Sequence, residues 1–398
     1  MKLRPDAESP RRGAKRVLIV CMLDRYANGV RGVEIEKFLR RGGHEVRLVD
    51  TYYLSRASRN ERSLANKLPG LGPRRAALYT IEVASWLLTR RWEFGRRHLS
   101  YYLLVADCRL RGKVLASLLP LDEFDLVICE TPHDADLLKL PTSAARALYD
   151  CPTPWADEVY LEGRLTRAQH RRLRRREAAL FESVDHLAFH WESYARYAVE
   201  HYGISGRNLI TLNWGCTPAK ERARFAEPLR IAYLGSLSSR FIDLPLLSRL
   251  AKLYPHIDVY GGPPPDPALG LNYMGHAPPS VLQQYQFGLV TCTDDELRRS
   301  GFSAKHTEYL AHGLPVLVPA WRRHLEHLDG SVPYEERAFL AQIDALSNER
   351  EWQQVSDAAY AQAQRLTWND TLRPLEMLLA GRGSSPADQR TAQLLPGI

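Results

Sequence analysis

Ser303-Ala304-Lys305-His306-Thr307-Glu308-Tyr309-Leu310-Ala311-His312-Gly313-Leu314-Pro315-Val316-Leu317-Val318-Pro319 is the stretch from which the rest of the chain is read. A small residue and a cation open it, and an acid follows three positions after the cation. An apolar step of helical length then runs into Gly-Leu-Pro and a β-type run. On a helix, Lys305 and Glu308 share one face at its first turn. A helix N-terminus attracts phosphate through its free N–H groups and its dipole. Lys305 adds a point charge for the same phosphates, and a carboxylate can accept two hydrogen bonds from a ribose diol. Together these parts suggest a nucleotide-diphosphate clamp. The alternative is a surface helix carrying an i,i+3 ion pair ahead of a parallel strand.

Ser303, Lys305, Glu308, Tyr309, Ala311, Gly313, Pro315 and Val316 fall on a Ser-x-Lys-x-x-Glu-Tyr-x-Ala-x-Gly-x-Pro-Val pattern. This resembles the donor-binding helix of GT-B glycosyltransferases of the family-4-like group (glycosyltransferase group 1). The resemblance implies an α/β chain of two Rossmann-like domains facing a central cleft, with a C-terminal helix crossing back to the first domain. It also implies an activity: sugar transfer from a nucleoside diphosphate sugar to an acceptor hydroxyl, in glycan, glycolipid or glycosylated-metabolite synthesis. No cofactor and no metal are expected, the nucleotide sugar being the donor substrate.

Outward from the clamp, βα units alternate. Arg16 to Met22 is a continuous apolar run of the kind a central parallel strand needs. Gly29 and Gly32 follow, then a helix pattern through Ile35, Phe38 and Leu39, a stop at Gly42-Gly43, and a strand over 45–50. Gly29-x-x-Gly32 lacks the full dinucleotide spacing; by the resemblance its loop helps to receive the acceptor. Two apolar-basic helix patterns cover roughly 74–92 and 97–118. The first carries Trp86 between Arg74, Arg75, Arg90 and Arg91 and suits either a core helix or one resting on anionic lipid. Further strands are expected over 124–130, 145–149 and 184–190, with an Arg-rich helix before the last.

The expected domains are a flexible tail (1–14), an acceptor domain (15–216), a linker (217–228) bounded by prolines, and a donor domain (229–366). A crossover helix (367–380) and a disordered tail (381–398) complete the chain. In the donor domain, strands are expected over 229–234, 256–260 and 288–292, with a helix over 244–253 and another between 276 and 288.

Functional groups in open parallel sheets collect beyond the carboxyl ends of strands. Gly235 and Ser236 end the first donor-domain strand, where a backbone without Cβ approaches a phosphate closely. Arg240 on the same loop can grip phosphate oxygens. By the resemblance, Tyr273 to His276 lies against the base and Ser303 opens the clamp. The family's first acid, eight positions before the ribose-binding one, is Ser300 here, with Asp294, Asp295 and Glu296 just upstream. Retention or inversion is therefore not carried over. Asp150 and His133, at strand ends of the acceptor domain, are the candidates for a general base. Asp134-Ala135-Asp136 has metal-motif spacing but sits in the first domain and is read as coincidence.

Composition agrees. Of 398 residues, 45% are hydrophobic and 25% charged, an ordinary globular balance. The six cysteines form no Cys-x-x-Cys pair, and reduced buried thiols are expected. Residues 1–13 have no apolar core of a signal peptide, and no apolar run reaches membrane-spanning length. A cytoplasmic protein is expected, with peripheral attachment at the inner membrane face left open. Net charge is +8, concentrated in the arginines of 164–176 and 90–111. No zinc spacing or RNA-binding signature accompanies them, so nucleic acid is not an expected partner.

The expected partners are a nucleotide sugar, UDP ahead of GDP, and an acceptor that is a glycan, a lipid-linked sugar or a small molecule. Two other readings share the sequence: a GT-B nucleotide-sugar epimerase, and a non-catalytic GT-B-like binding or scaffold protein, the latter favoured by Ser300.

Overall fold

In a computed structural model the described residues are 13–23, 26–52, 62–64, 72–91, 93–139, 146–237, 241–325 and 327–380. The chain divides into two compact units, Met1–Asn213 with Leu372–Ile398, and Trp214–Thr371.

The first unit opens with β1 (Arg16–Cys21), α1 (Tyr26–Arg41) and β2 (Glu45–Asp50). Helices α2 (Gly72–Arg91) and α3 (Glu93–Leu118) follow and pack on each other. Then come β3 (Leu126–Cys129), β4 (Arg146–Cys151), α4 (Trp155–Leu161), α5 (Arg167–Ser183), β5 (His186–Phe189), α6 (Glu192–Tyr202) and β6 (Leu209–Thr211). All the strand pairs are parallel, in the order β2-β1-β3-β4-β5-β6. Val17 to Cys21 and Leu126 to Cys129 are buried, as a sheet covered on both faces requires. The arginine-rich α5 is held at its start by a capping box between Thr166 and Gln169 and buries Leu173, Leu180 and Phe181.

The second unit contains β7 (Ile231–Leu234), α7 (Leu244–Leu253), β8 (Ile257–Tyr260), β9 (Asn272–Tyr273) and β10 (Phe287–Leu289). They are followed by α8 (Glu296–Arg299), α9 (Ala304–Ala311), β11 (Val316–Pro319), β12 (Ser331–Tyr334), α10 (Phe339–Asp344) and α11 (Glu349–Arg365). Its sheet is again parallel, in the order β12-β11-β10-β7-β8-β9. Finally α12 (Trp368–Leu379) begins in this unit, and from Leu372 its residues belong to the first.

Several expectations are corrected. Residues 217–228 lie within the second unit, where the backbone N–H groups of Ala219 and Ala223 donate to the carbonyls of Ala311 and His312 at the end of α9, and Arg222 pairs with Asp357. The helix expected between 276 and 288 is a 3-10 turn, Pro279–Gln284. The strand expected at 288–292 stops at Leu289, and the one expected from 145 runs on to Cys151. The tails 1–12 and 381–398 lie outside the described residues, as do the side chains of Trp86, Arg74, Arg75, Arg90 and Arg91 on which the lipid-facing reading of α2 rests. Among the described residues, no helix is long and apolar enough to cross a membrane.

Candidate active site

In each sheet the strand order reverses beside the first strand of the unit, β1 next to β3 and β7 next to β10. The carboxyl ends of these pairs form the crevice where such sheets bind ligands.

In the second unit, β7 ends at Leu234 and passes into Gly235, whose φ is +138°. A Cβ on Gly235 would stand 2.2 Å from Lys305 Cε, so the lysine lies directly over this backbone. Lys305 Nζ donates to Tyr233 Oη at 2.8 Å, its one hydrogen-bond acceptor among the described residues, and sits 4.5 Å from the centre of that ring. Burial pulls the ammonium down to about 8, against a smaller opposing pull from Cys292. A half-buried cation with donors to spare is arranged to meet an anion. Ser303, the N-cap of α9, makes no side-chain cap bond.

Glu308 lies one turn further along α9 and does not pair with Lys305. Its Oε1 lies 3.9 Å from His312 Nδ1. Burial raises the Glu308 carboxyl while His312 lowers it. The helix is no surface helix, since His306, Thr307, Tyr309, Leu310 and Ala311 are buried. Tyr309 anchors it, its hydroxyl accepting from the Leu234 N–H at 2.8 Å and donating to the Leu289 carbonyl at 3.3 Å. The carboxyl ends of β7 and β10 are thus both tied to the clamp helix. Ahead of α9, Arg322 and His324 both bond the carbonyl of Gly301, fixing the approach.

The neighbouring glycines gather here as well. Ser236 lies against Gly262, and Tyr273 Oη donates to the Gly262 carbonyl at 2.5 Å. Six of the expected site residues lie in the second unit: Gly235 and Ser236 beyond the end of β7, Tyr273 at the end of β9, Ser303 at the N-cap of α9, and Lys305 and Glu308 on it. Arg240 lies outside the described residues. Of the acids upstream of Ser300, Asp294 is engaged by Arg299 and Asp295 caps α8 through the Arg298 N–H, while Glu296 is exposed.

In the first unit the two candidate bases differ. Asp150 is fully buried and gripped by Arg31, Nε to Oδ2 at 2.6 Å and Nη2 to Oδ1 at 3.1 Å. Arg31, itself buried, also donates to the carbonyls of Leu212 and Asn213. Asp150 is thus a fastening of the sheet end, with both oxygens already used. His133 is partly exposed, and its Nδ1 meets Asp107 Oδ2 at 3.0 Å. That carboxylate orients the imidazole, as a proton-transferring histidine requires. The Trp155 ring packs edge-on against it. Asp134 accepts from Thr51 and Arg111, and Asp136 from Arg176 and Lys139.

Another of the strand-end groups stands out, though it was not among the candidate bases. Glu130, directly after β3, is fully buried, and neither of its oxygens has a hydrogen-bond partner among the described residues. Burial, then the charge of Asp150, pushes its carboxyl well up, with Arg31 opposing. Its place at a strand end was the only signal in the sequence. Tyr233, two residues before Gly235 on β7, was legible only as a core residue.

No protein-family model matches the chain, and no curated protein matches it by sequence. Solved structures do match by shape. Sucrose-phosphate synthase from Thermosynechococcus elongatus superposes with a TM-score of 0.62 at 10% identity, over 92% of this chain and 99% of that one. An alpha,alpha-trehalose-phosphate synthase (UDP-forming) from Burkholderia vietnamiensis gives 0.58 at 13% identity, over 92% and 99%. A glycosyltransferase from Rickettsia africae gives 0.55 at 12%, over 93% and 98%. The two parallel six-stranded sheets with their helices are therefore the two Rossmann-like domains of the GT-B glycosyltransferase fold.

Proposed function

We propose that this protein is a glycosyltransferase that moves a sugar from a nucleoside diphosphate sugar to an acceptor hydroxyl. The observation that carries the reading is the Lys305 ammonium, laid over Gly235 with spare donors and separate from Glu308. In the proposed arrangement Lys305 and the α9 N-terminus at Ser303 take the diphosphate, beside the Gly235-Ser236 backbone. Glu308 takes the ribose diol, and Tyr273 lies on the side of the base. Arg240 is proposed as a further phosphate contact from the resemblance of its loop alone.

As the glycosidic bond breaks, charge grows on the leaving diphosphate. A cation already fixed and partly desolvated stabilises that charge without reorganising. His133, oriented by Asp107, is proposed as the base that receives the acceptor proton. Asp150 acts through Arg31 as a positioning residue. UDP is the favoured nucleotide, a choice supported by the UDP-forming neighbour.

Thermal-shift and calorimetric titration with UDP, GDP and ADP tests this reading, because stabilisation follows affinity. UDP is expected to stabilise most. Lys305→Ala and Glu308→Ala are each expected to weaken it by at least about tenfold, roughly 1.4 kcal/mol. Binding unchanged in both variants sinks the assignment. Binding without any donor turnover moves the reading to a scaffold protein.

A further inference from the structure

A cavity of about 980 Å³ lies in the second unit, beyond the carboxyl ends of β11 and β12. Its walls come from α7, the end of α8, and the turns that follow the two strands. None of Gly235, Tyr273, Lys305 or Glu308 lines it. Its size falls at the upper end of ligand-pocket volumes.

The lining mixes apolar side chains with charged ones of both signs. Arg249, Arg299 and Arg323 face Asp243, Glu335 and Glu336, three cations against three carboxylates. Two of the arginines are already spoken for by planar two-point pairs. Arg249 holds Glu336 at 2.5 and 2.9 Å, and Arg299 holds Asp294 at 2.7 and 3.1 Å. Two of the three arginines could meet an anion only by breaking these pairs, and the lining carboxylates repel it, so its gain is small.

A neutral polyhydroxyl ligand meets a different surface. Each guanidinium keeps N–H donors, and each carboxylate keeps lone pairs, beyond those its partner uses. Hydroxyls can both donate and accept, so they use both kinds without separating the ions. Trp321, half-buried at the same wall, adds a large flat face. Its indole N–H has no hydrogen-bond partner, and Arg323 no ion-pair partner, among the described residues. An aromatic face for C–H groups beside fixed planar donors and acceptors for O–H groups matches the two chemistries of a pyranose ring.

We infer that this cavity is a saccharide-binding site for an uncharged sugar, with Trp321 as its platform and Arg323 and the Arg249–Glu336 pair as its polar wall. It is separate in its residues from the proposed nucleotide clamp and does not depend on that clamp being correct.

The test is saturation-transfer NMR and calorimetry on the full chain without nucleotide, using maltotriose, cellotriose and mannotriose as probes, with inorganic phosphate as the anionic comparison. At least one trisaccharide is expected to bind. Trp321→Ala is expected to weaken it by about tenfold or more, Trp321→Phe by less, and Lys305→Ala not at all. The inference fails if no trisaccharide binds up to about 10 mM. It fails equally if phosphate displaces the sugar, or if Lys305→Ala abolishes binding while Trp321→Ala, folded by circular dichroism, leaves it intact.

Discussion

Lys305 shows what burial does to a single charge. Held at about 8 because the interior disfavours the ammonium, it is still mostly charged at pH 7 and half-charged only near pH 8 in the free protein. A diphosphate binds the charged form, so the sign is definite: affinity falls as pH rises through 8, by up to about tenfold per unit. Calorimetry with UDP at pH 7 and 9 is expected to show this fall, and the Lys305→Ala variant is expected to be flat. Gly235 belongs to the same scale. Its φ of +138° suits glycine, and a Cβ there would strike the end of the lysine. Gly235→Ala is therefore expected to displace Lys305 and cost at least about tenfold in nucleotide affinity, against only about 1–3 kcal/mol of stability by denaturant titration.

Among the elements, those with complete local signals are legible in the sequence. Helix α7, expected over 244–253, is one such element: Asp243 caps it, a proline lies in its first turn and its apolar side chains repeat at helical spacing. Strand β9, two residues long, and the 3-10 turn before β10 carry too little pattern for such a reading. The pair that secures the end of β4 was not legible at all, since Arg31 and Asp150 lie 119 residues apart. Both are fully buried, so removing one strands the other. Asp150→Ala is expected to destabilise the first unit by about 3–5 kcal/mol in urea unfolding, and the double change Arg31→Met with Asp150→Leu to recover most of that. Equal loss in the single and double variants would show that packing, not the charge, sets the cost.

At the scale of the whole molecule, α12 is the element that both units claim. Leu372, Leu375, Leu378 and Leu379 are buried and belong to the first unit, although some 160 residues of the second precede them. A chain ending at Thr371 loses this apolar face, at about 2 kcal/mol for each buried leucine. Thermal unfolding is expected to show a first unit destabilised by several kcal/mol and a second unit little changed. By itself the sequence determined the alternation of strands and helices, the parallel sheets and the placing of Ser303 to Glu308 at the head of a helix. Local periodicity and caps are enough for those. That Lys305 turns to Tyr233 instead of Glu308, that Asp150 is fastened by Arg31, and that Glu130 is buried with no hydrogen-bond partner among the described residues came from the three-dimensional arrangement alone. Contacts between residues far apart in the chain depend on how strands are ordered in a sheet, and no local pattern encodes that order.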